Sequence, residues 1–320
     1  MKRMTIVFLD ASTIGEDVSL EPIAQQGDFV SFPSTVQDKV SERIADAEIV
    51  ITNKVRLFQP EIDSASRLKL ICIAATGTDN VEIDHARLKG IIVKNVSGYS
   101  THSVAQICFS HILHLSSHLS YYNHYVHCGE YANSLTATHL GDSFSELNGR
   151  RLGIIGLGNI GQKVAQIAIA FGMEVVYYST SGTHHCKEYP SLSLTEVLES
   201  SDIVSIHAPL NSRTMNLIST DQLRLMKPTA LLINMGRGGI VNETDLVKAI
   251  NEGVIAGAGV DVFSQEPIKQ DHPFYGVGDQ QRLLLTPHIA WTSIEARRLL
   301  IEKIAENIRN YIKESEKSGF

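Results

Sequence analysis

The segment Gly156-Leu157-Gly158-Asn159-Ile160-Gly161 constrains this chain more than any other. An apolar run, residues 152–155, leads into it, and a helical pattern, residues 159–171, leads out. A glycine at the first position permits a tight turn, the second lets a ligand approach the backbone, and the third lets helix and strand pack closely. Strand, turn and helix in this order present free amides and a positive helix end, the arrangement that holds a pyrophosphate. Gly156, Gly158, Asn159, Ile160 and Gly161 are therefore expected to contact a dinucleotide.

A carboxylate about 20 positions further on would normally hold the ribose 2′-hydroxyl. None stands there: between Val175 and Lys187 there is no Asp or Glu. Ser179, Thr180 and Ser181 offer hydroxyls instead, with His184, His185 and Lys187 close in sequence and no arginine among them. NADP is thus permitted without being demanded, and the cofactor is read as NAD or NADP.

Around this turn the chain alternates apolar runs with helical periods. Runs at residues 5–9, 48–52, 70–74 and 91–95 read as strands of a first α/β unit, with a helix at 36–45. Runs at 174–178, 203–207, 230–234, 256–261 and 283–286 continue a second unit after 152–155. Continuous apolar strands separated by helices predict parallel sheets buried on both faces. A helix at 103–119 leads from the first unit towards the second. Residues 118–148 show weak periodicity and read as an arm that packs on another subunit. The last helix, 293–313, carries Leu300, Ile304, Ile308 and Ile312 on one face and is free to return to the first unit. With 320 residues, two domains are the expected number.

Three polar motifs fall just after strands of the second unit: Asn234-Met235-Gly236-Arg237-Gly238-Gly239, Gln265-Glu266-Pro267 and Thr286-Pro287-His288-Ile289-Ala290. Ligands of open parallel sheets bind at the carboxyl ends of strands, so these motifs are expected to converge. Their residue types suit reduction of a 2-oxo acid. Negative charge grows on the carbonyl oxygen as hydride arrives. An imidazolium can donate the proton. A carboxylate on the other ring nitrogen fixes the tautomer, and an arginine holds the substrate carboxylate by forked hydrogen bonds. Arg237, Glu266 and His288 fit those roles.

These motifs, with Thr78-Asp79-Asn80-Val81 and Ser100-Thr101-His102-Ser103-Val104-Ala105, resemble those of the D-isomer-specific 2-hydroxyacid dehydrogenases over nearly the whole chain. The resemblance implies a Rossmann-type doubly wound parallel sheet (residues 100–292) inserted into a smaller flavodoxin-like substrate domain (1–99 and 293–320). It implies a homodimer formed through the cofactor domains. It assigns Arg237, Glu266 and His288 to catalysis and a backbone-amide loop at Ala75, Thr76 and Gly77 to the substrate carboxylate. It places Thr101, Val104, Asp261 and Ala290 at the nicotinamide, and His207, Ala208, Pro209 and Thr214 at the adenosine. Many members carry Asp where this chain has Ser179. Within the family the chain looks most like glycerate dehydrogenases, also called hydroxypyruvate reductases, and Asn53 is placed to bond a 3-hydroxyl. The alternatives are a D-lactate dehydrogenase or other 2-oxo acid reductase of the family, and a dinucleotide-sensing regulator of the same fold, the last disfavoured by the complete Arg237, Glu266 and His288 set.

The remaining signals exclude other classes. Net charge is −7 and no long basic run occurs, which argues against a nucleic-acid partner. No stretch nears the roughly 18 apolar residues of a membrane span. Asp10 ends the N-terminal apolar run too early for a signal peptide, so a cytoplasmic location is expected. The four cysteines form no Cys-x-x-Cys pair, and Cys72 and Cys108 read as core residues. His111, His114 and His118 lie on one helix but lack an acidic or cysteine partner at ligand spacing; they read as a solvated or interface face, with no metal.

Overall fold

The computed structural model describes residues 3–182 and 186–317. The chain divides into two units, Met1–Ser100 with Thr292–Phe320, and Thr101–Trp291.

The first unit holds five parallel strands: β1 (Thr5–Phe8), β2 (Asp28–Ser31), β3 (Ile49–Thr52), β4 (Leu70–Ile73) and β5 (Ile92–Lys94). Their order is β2-β1-β3-β4-β5, the flavodoxin-like arrangement. Every residue of β3 and β4 is buried, which is why both read as unbroken apolar runs. Edge strand β2 is half-buried at one residue and exposed at three, so it carries no apolar signal, and the sequence pattern missed it. The helix Ile294–Lys317 belongs to this unit and packs near β4 and the short helix Glu21–Ala24. Leu300, Ile304 and Ile308 are fully buried on its inner face. Arg297 anchors its first turns: the guanidinium donates to the Ile14 carbonyl at 2.6 Å and forks onto the Asp17 carboxylate.

The second unit holds β6 (Arg151–Ile155), β7 (Glu174–Tyr178), β8 (Ile203–Ile206), β9 (Leu231–Asn234), β10 (Gly257–Val260) and β11 (Leu283–Leu285), all parallel. The order β11-β10-β9-β8-β6-β7 puts the chain reversal between β6 and β8. The strand that normally follows β7 in a Rossmann sheet has shrunk to one bridge, Tyr177 to Ser191, held by Tyr177 N to Pro190 O and Leu192 N to Tyr177 O. Counting that bridge, the sheet has the standard dinucleotide-binding order. One face packs the helices Thr101–Ser116 and Asn159–Ala170 around Leu152, Ile154 and Tyr177; the other buries Ile206, Leu223, Leu246 and Ile250. Both faces are thus covered, as a doubly wound sheet requires.

Two sequence expectations change. The helix after residue 100 ends at Ser116, and residues 119–127, read as irregular, form a further helix, Leu119–His127. None of its residues is buried, so it has no apolar stripe to betray it. No described helix is long and apolar enough to cross a membrane.

Candidate active site

The glycine turn has three different glycines for three reasons. Gly156 has φ +92°, and a Cβ there would stand 2.9 Å from the Ala208 nitrogen. A Cβ on Gly161 would stand 2.5 Å from the Gly156 carbonyl oxygen. Gly158 is the opposite case: a Cβ would meet nothing within 4 Å, so its backbone faces open space. It is also the N-cap of the helix Asn159–Ala170, with no side chain capping the helix amides. Asn159 and Ile160 start that helix. An open cradle at a positive helix end, beside the sheet's reversal point, fits a pyrophosphate.

The loop after β8 forms the other wall of this crevice. His207 N donates to Ile155 O at 2.8 Å, which ties the loop to β6. Thr214 is fully buried; its hydroxyl donates to Pro209 O at 2.7 Å and accepts from Asn211 N at 2.8 Å. Among the described residues the buried Nδ1 of His207 has no partner, while Nε2 lies 2.8 Å from Ser205 Oγ. Burial pushes the His207 imidazole down to about 3. Ser179 and Thr180, directly after β7, are half-buried. His184 and His185 lie outside the described residues, and Lys187 is exposed.

At the ends of β9, β10 and β11 the three polar motifs meet. Asn234 shapes the first: its amide donates to Arg237 O at 3.1 Å and its Oδ1 accepts from Gly236 N at 3.1 Å. A Cβ on Gly236 would stand 2.8 Å from Ala208 O, and one on Gly238 would overlap the Phe263 carbonyl. The Arg237 loop is therefore wedged between the loops after β8 and β10. Arg237 is half-buried, one of its donors resting 2.9 Å from Gly236 O. Glu266 Oε1 accepts from Phe263 N at 3.0 Å, and Oε2 lies 2.7 Å from His288 Nδ1. This bond fixes which ring nitrogen carries the proton and turns Nε2 away from the glutamate. Both side chains keep partial exposure, 22% for His288 and 31% for Glu266.

Asp261 orients that histidine from behind. It is 1% exposed; Oδ1 accepts from Thr286 Oγ1 (2.6 Å) and Ile289 N (2.9 Å), Oδ2 from Ala290 N (3.0 Å). Its carbonyl accepts from His288 N at 2.8 Å, where His288 takes φ +54°. Burial raises the Asp261 carboxyl above its ordinary range against these donors. Ala290 O in turn accepts from Ser103 Oγ at 2.6 Å, which draws the helix Thr101–Ser116, and with it Thr101 and Val104, to this edge. Val104 and Ala290 share one buried cluster with Leu157.

In the first unit, Asn53 follows β3 and Ala75, Thr76 and Gly77 follow β4, so all four occupy neighbouring strand ends. The Asp10 carboxylate accepts from the backbone amides of Asn53, Lys54 and Val55 at 2.6–3.1 Å. Burial raises the Asp10 carboxyl above its ordinary value. Asn53 is 4% exposed, and its side-chain Nδ2 is buried without a partner among the described residues. Residues 75–77 are pinned from the other side, Val96 N donating to Ala75 O at 3.1 Å and Asn95 Nδ2 to Thr76 O at 2.7 Å.

Sequence reasoning missed several supports. Thr286 and Ser103 stand within sequence motifs, but their bonds to Asp261 and to Ala290 O come only from the fold. Glu243 accepts from Ser264 N at 2.7 Å and contacts His272, stiffening the Glu266 loop from 21 residues away. The histidine helix needs correction. His111 is 2% exposed, its Nε2 lying 3.1 Å from Thr286 Oγ1, and burial pushes it down to about 4. His118 lies beyond the helix end with φ +50°. The three rings thus share no solvated face. Among the described residues no group of three His, Cys, Asp or Glu is placed to hold a metal.

Sheet, open turn and clamped histidine together mark a dinucleotide-dependent oxidoreductase. The chain belongs to the D-isomer specific 2-hydroxyacid dehydrogenases, whose NAD-binding-domain profile matches residues 109–290. It is therefore an NAD(P)-dependent enzyme acting on a CH–OH group, with a nicotinamide dinucleotide as cofactor. It is 32% identical to a hydroxypyruvate reductase of Blautia hydrogenotrophica over 321 residues, 98% of each chain. It is 39% identical to a glyoxylate reductase of Aeropyrum pernix over 256 residues, 77% of this chain and 74% of that one. Among solved structures it is similar to the acyclic imino acid reductase Bsp5 in complex with NADPH and D-Arg. The TM-score is 0.86 at 29% identity, covering 97% of this chain and 98% of that one.

Proposed function

We propose that the enzyme interconverts hydroxypyruvate and D-glycerate, with His288 as the acid–base group, Glu266 as its partner and Arg237 as the carboxylate clamp. The observation that carries the assignment is the 2.7 Å contact between His288 Nδ1 and Glu266 Oε2 at the strand ends of a Rossmann sheet. When bound, the reduced nicotinamide supplies a hydride to the substrate's carbonyl carbon. His288 delivers a proton from Nε2 to the carbonyl oxygen and takes it back in the reverse direction. Glu266, anchored on Phe263 N, holds the ring in the donating orientation. Arg237 offers a planar fork to the substrate carboxylate and draws charge from the carbonyl.

For the cofactor we propose pyrophosphate contacts at Gly156, Gly158, Asn159, Ile160 and Gly161, supported by the open cradle at Gly158. Adenosine-side contacts are proposed at Ser179, Thr180, His207, Ala208, Pro209 and Thr214, and nicotinamide-side contacts at Thr101, Val104, Asp261 and Ala290. In the first unit we propose substrate contacts at Asn53, Ala75, Thr76 and Gly77, supported by their shared edge and by the side-chain Nδ2 of Asn53, which has no partner among the described residues and suits a 3-hydroxyl. Likeness to the Blautia hydroxypyruvate reductase along 98% of both chains supports the choice of substrate. We also propose a homodimer through the second unit, supported by exposed Leu135, Leu140 and Phe144; a single monomer-mass species in sedimentation would contradict it.

The test is a panel of hydroxypyruvate, glyoxylate, pyruvate and longer 2-oxo acids, each with NADH and with NADPH. Hydroxypyruvate is expected to give the highest kcat/KM. A higher value for glyoxylate or pyruvate moves the substrate assignment, and no turnover with any member removes the enzymatic one.

A further inference from the structure

The open question of the 2′-position turns on a residue far from the second strand in sequence. Arg213 sits at the tip of the loop after β8, and its Nη1 donates to Ser181 O at 3.3 Å, 32 residues away. The sheet order explains the reach. β7 and β8 flank β6, so the loops that follow them face each other across the glycine turn. A dinucleotide whose pyrophosphate lies on that turn puts its adenosine ribose against the end of β7.

The tip is held in place locally. Arg213 N donates to Asn211 Oδ1 at 2.9 Å, and Thr214 N to Asn211 O at 3.0 Å, while buried Thr214 staples the loop base to Pro209. The arginine itself is exposed. Among the described residues its hydrogen-bond partner is a neutral carbonyl, which leaves most of its five N–H donors and its full charge for an anion. Ser179 and Ser181 present hydroxyls 3.4 Å apart on the same turn, where no Asp or Glu occurs between Val175 and Lys187 to repel a phosphate.

We propose that Arg213, with Ser179 and Ser181, forms a binding site for the 2′-phosphate of NADPH, making this enzyme NADP-preferring. The proposal rests on the dinucleotide reading of the glycine turn and adds the cofactor's identity to it. Arginine is the side chain best matched to a terminal phosphate, and a partly exposed charge-assisted pair should contribute about tenfold in affinity.

Calorimetric titration of the full-length protein with 2′,5′-ADP and with 5′-ADP tests it without requiring turnover. Wild type should bind 2′,5′-ADP about tenfold more tightly, by a margin that shrinks with added salt. Arg213→Ala should erase that margin while leaving 5′-ADP affinity within about twofold, and Arg213→Lys should restore part of it. A merely structural latch between the two loops would weaken both nucleotides together. Equal weakening, or a margin that survives Arg213→Ala, overturns the proposal and leaves the dinucleotide reading standing. Failure of both nucleotides to bind wild type overturns the two together.

Discussion

Replacing Gly158 and Gly161 separately by alanine divides what the glycine turn does for the fold from what it does for the cofactor. At Gly161 the new methyl would stand 2.5 Å from Gly156 O and 3.2 Å from Ile154 Cγ2. A separation of 3.4 Å is ordinary, so the helix Asn159–Ala170 is about 0.9 Å too close to the turn to accept it. Neither neighbour is the free end of a flexible chain: one is backbone, the other a fully buried core residue. Overpacking of this kind costs about 1–3 kcal/mol, and a unit of this size loses about 2–4 °C of Tm for each. At Gly158 the methyl meets nothing, and the backbone (φ −80°, ψ −163°) lies where any residue is comfortable. Gly158→Ala should keep its Tm or gain slightly, because alanine restricts the unfolded chain. Yet its methyl would enter the open space proposed above for the pyrophosphate, and affinity for NADH and NADPH should then fall at least about tenfold, some 1.4 kcal/mol. Thermal denaturation followed by circular dichroism, paired with titration of each reduced cofactor, reads both effects. Wild-type cofactor affinity in Gly158→Ala, or an unchanged Tm in Gly161→Ala, would refute the reasoning.

Two further outcomes follow from buried polar groups. Burial holds His111 near 4 and His207 near 3, below the imidazole's unfolded value of 6.5. The unfolded chain therefore binds protons that the folded chain refuses, and stability falls as pH drops from 6.5 towards 4. Each histidine accounts for about 2 kcal/mol between about pH 7 and pH 5. Urea midpoints should show His111→Leu losing less on acidification than wild type; an equal loss in both contradicts the assignment. Asp10→Ala should destabilise the first unit by about 3 kcal/mol, since it strips the acceptor from three backbone amides, and Asp10→Asn should lose less. Equal urea midpoints for Asp10→Ala and wild type would contradict this.

Much of the second unit was legible because its strands are buried on both faces and its polar motifs directly follow strand ends. Residues 234–239, 265–267 and 286–290 announce themselves by position. What escaped notice had physical reasons. The exposed edge strand β2 and the helix Leu119–His127 bury nothing along a stripe, so neither leaves a period to read. His111 stands three residues after Cys108 and four before Leu115, on the buried side of its helix; only the partner Thr286, 175 positions away, explains a polar ring there. Arg213 was equally invisible as a neighbour of Ser181, because their proximity comes from the β7-β6-β8 order.

We propose that His288, clamped by Glu266, moves the proton that accompanies hydride transfer to a 2-oxo acid. The most direct test compares wild type with His288→Ala, following hydroxypyruvate-dependent oxidation of NADPH and NADH alongside cofactor binding. The wild type should turn over, and the variant should lose about 10²–10⁴-fold in kcat with cofactor affinity within about twofold. Undiminished turnover in His288→Ala would contradict the account.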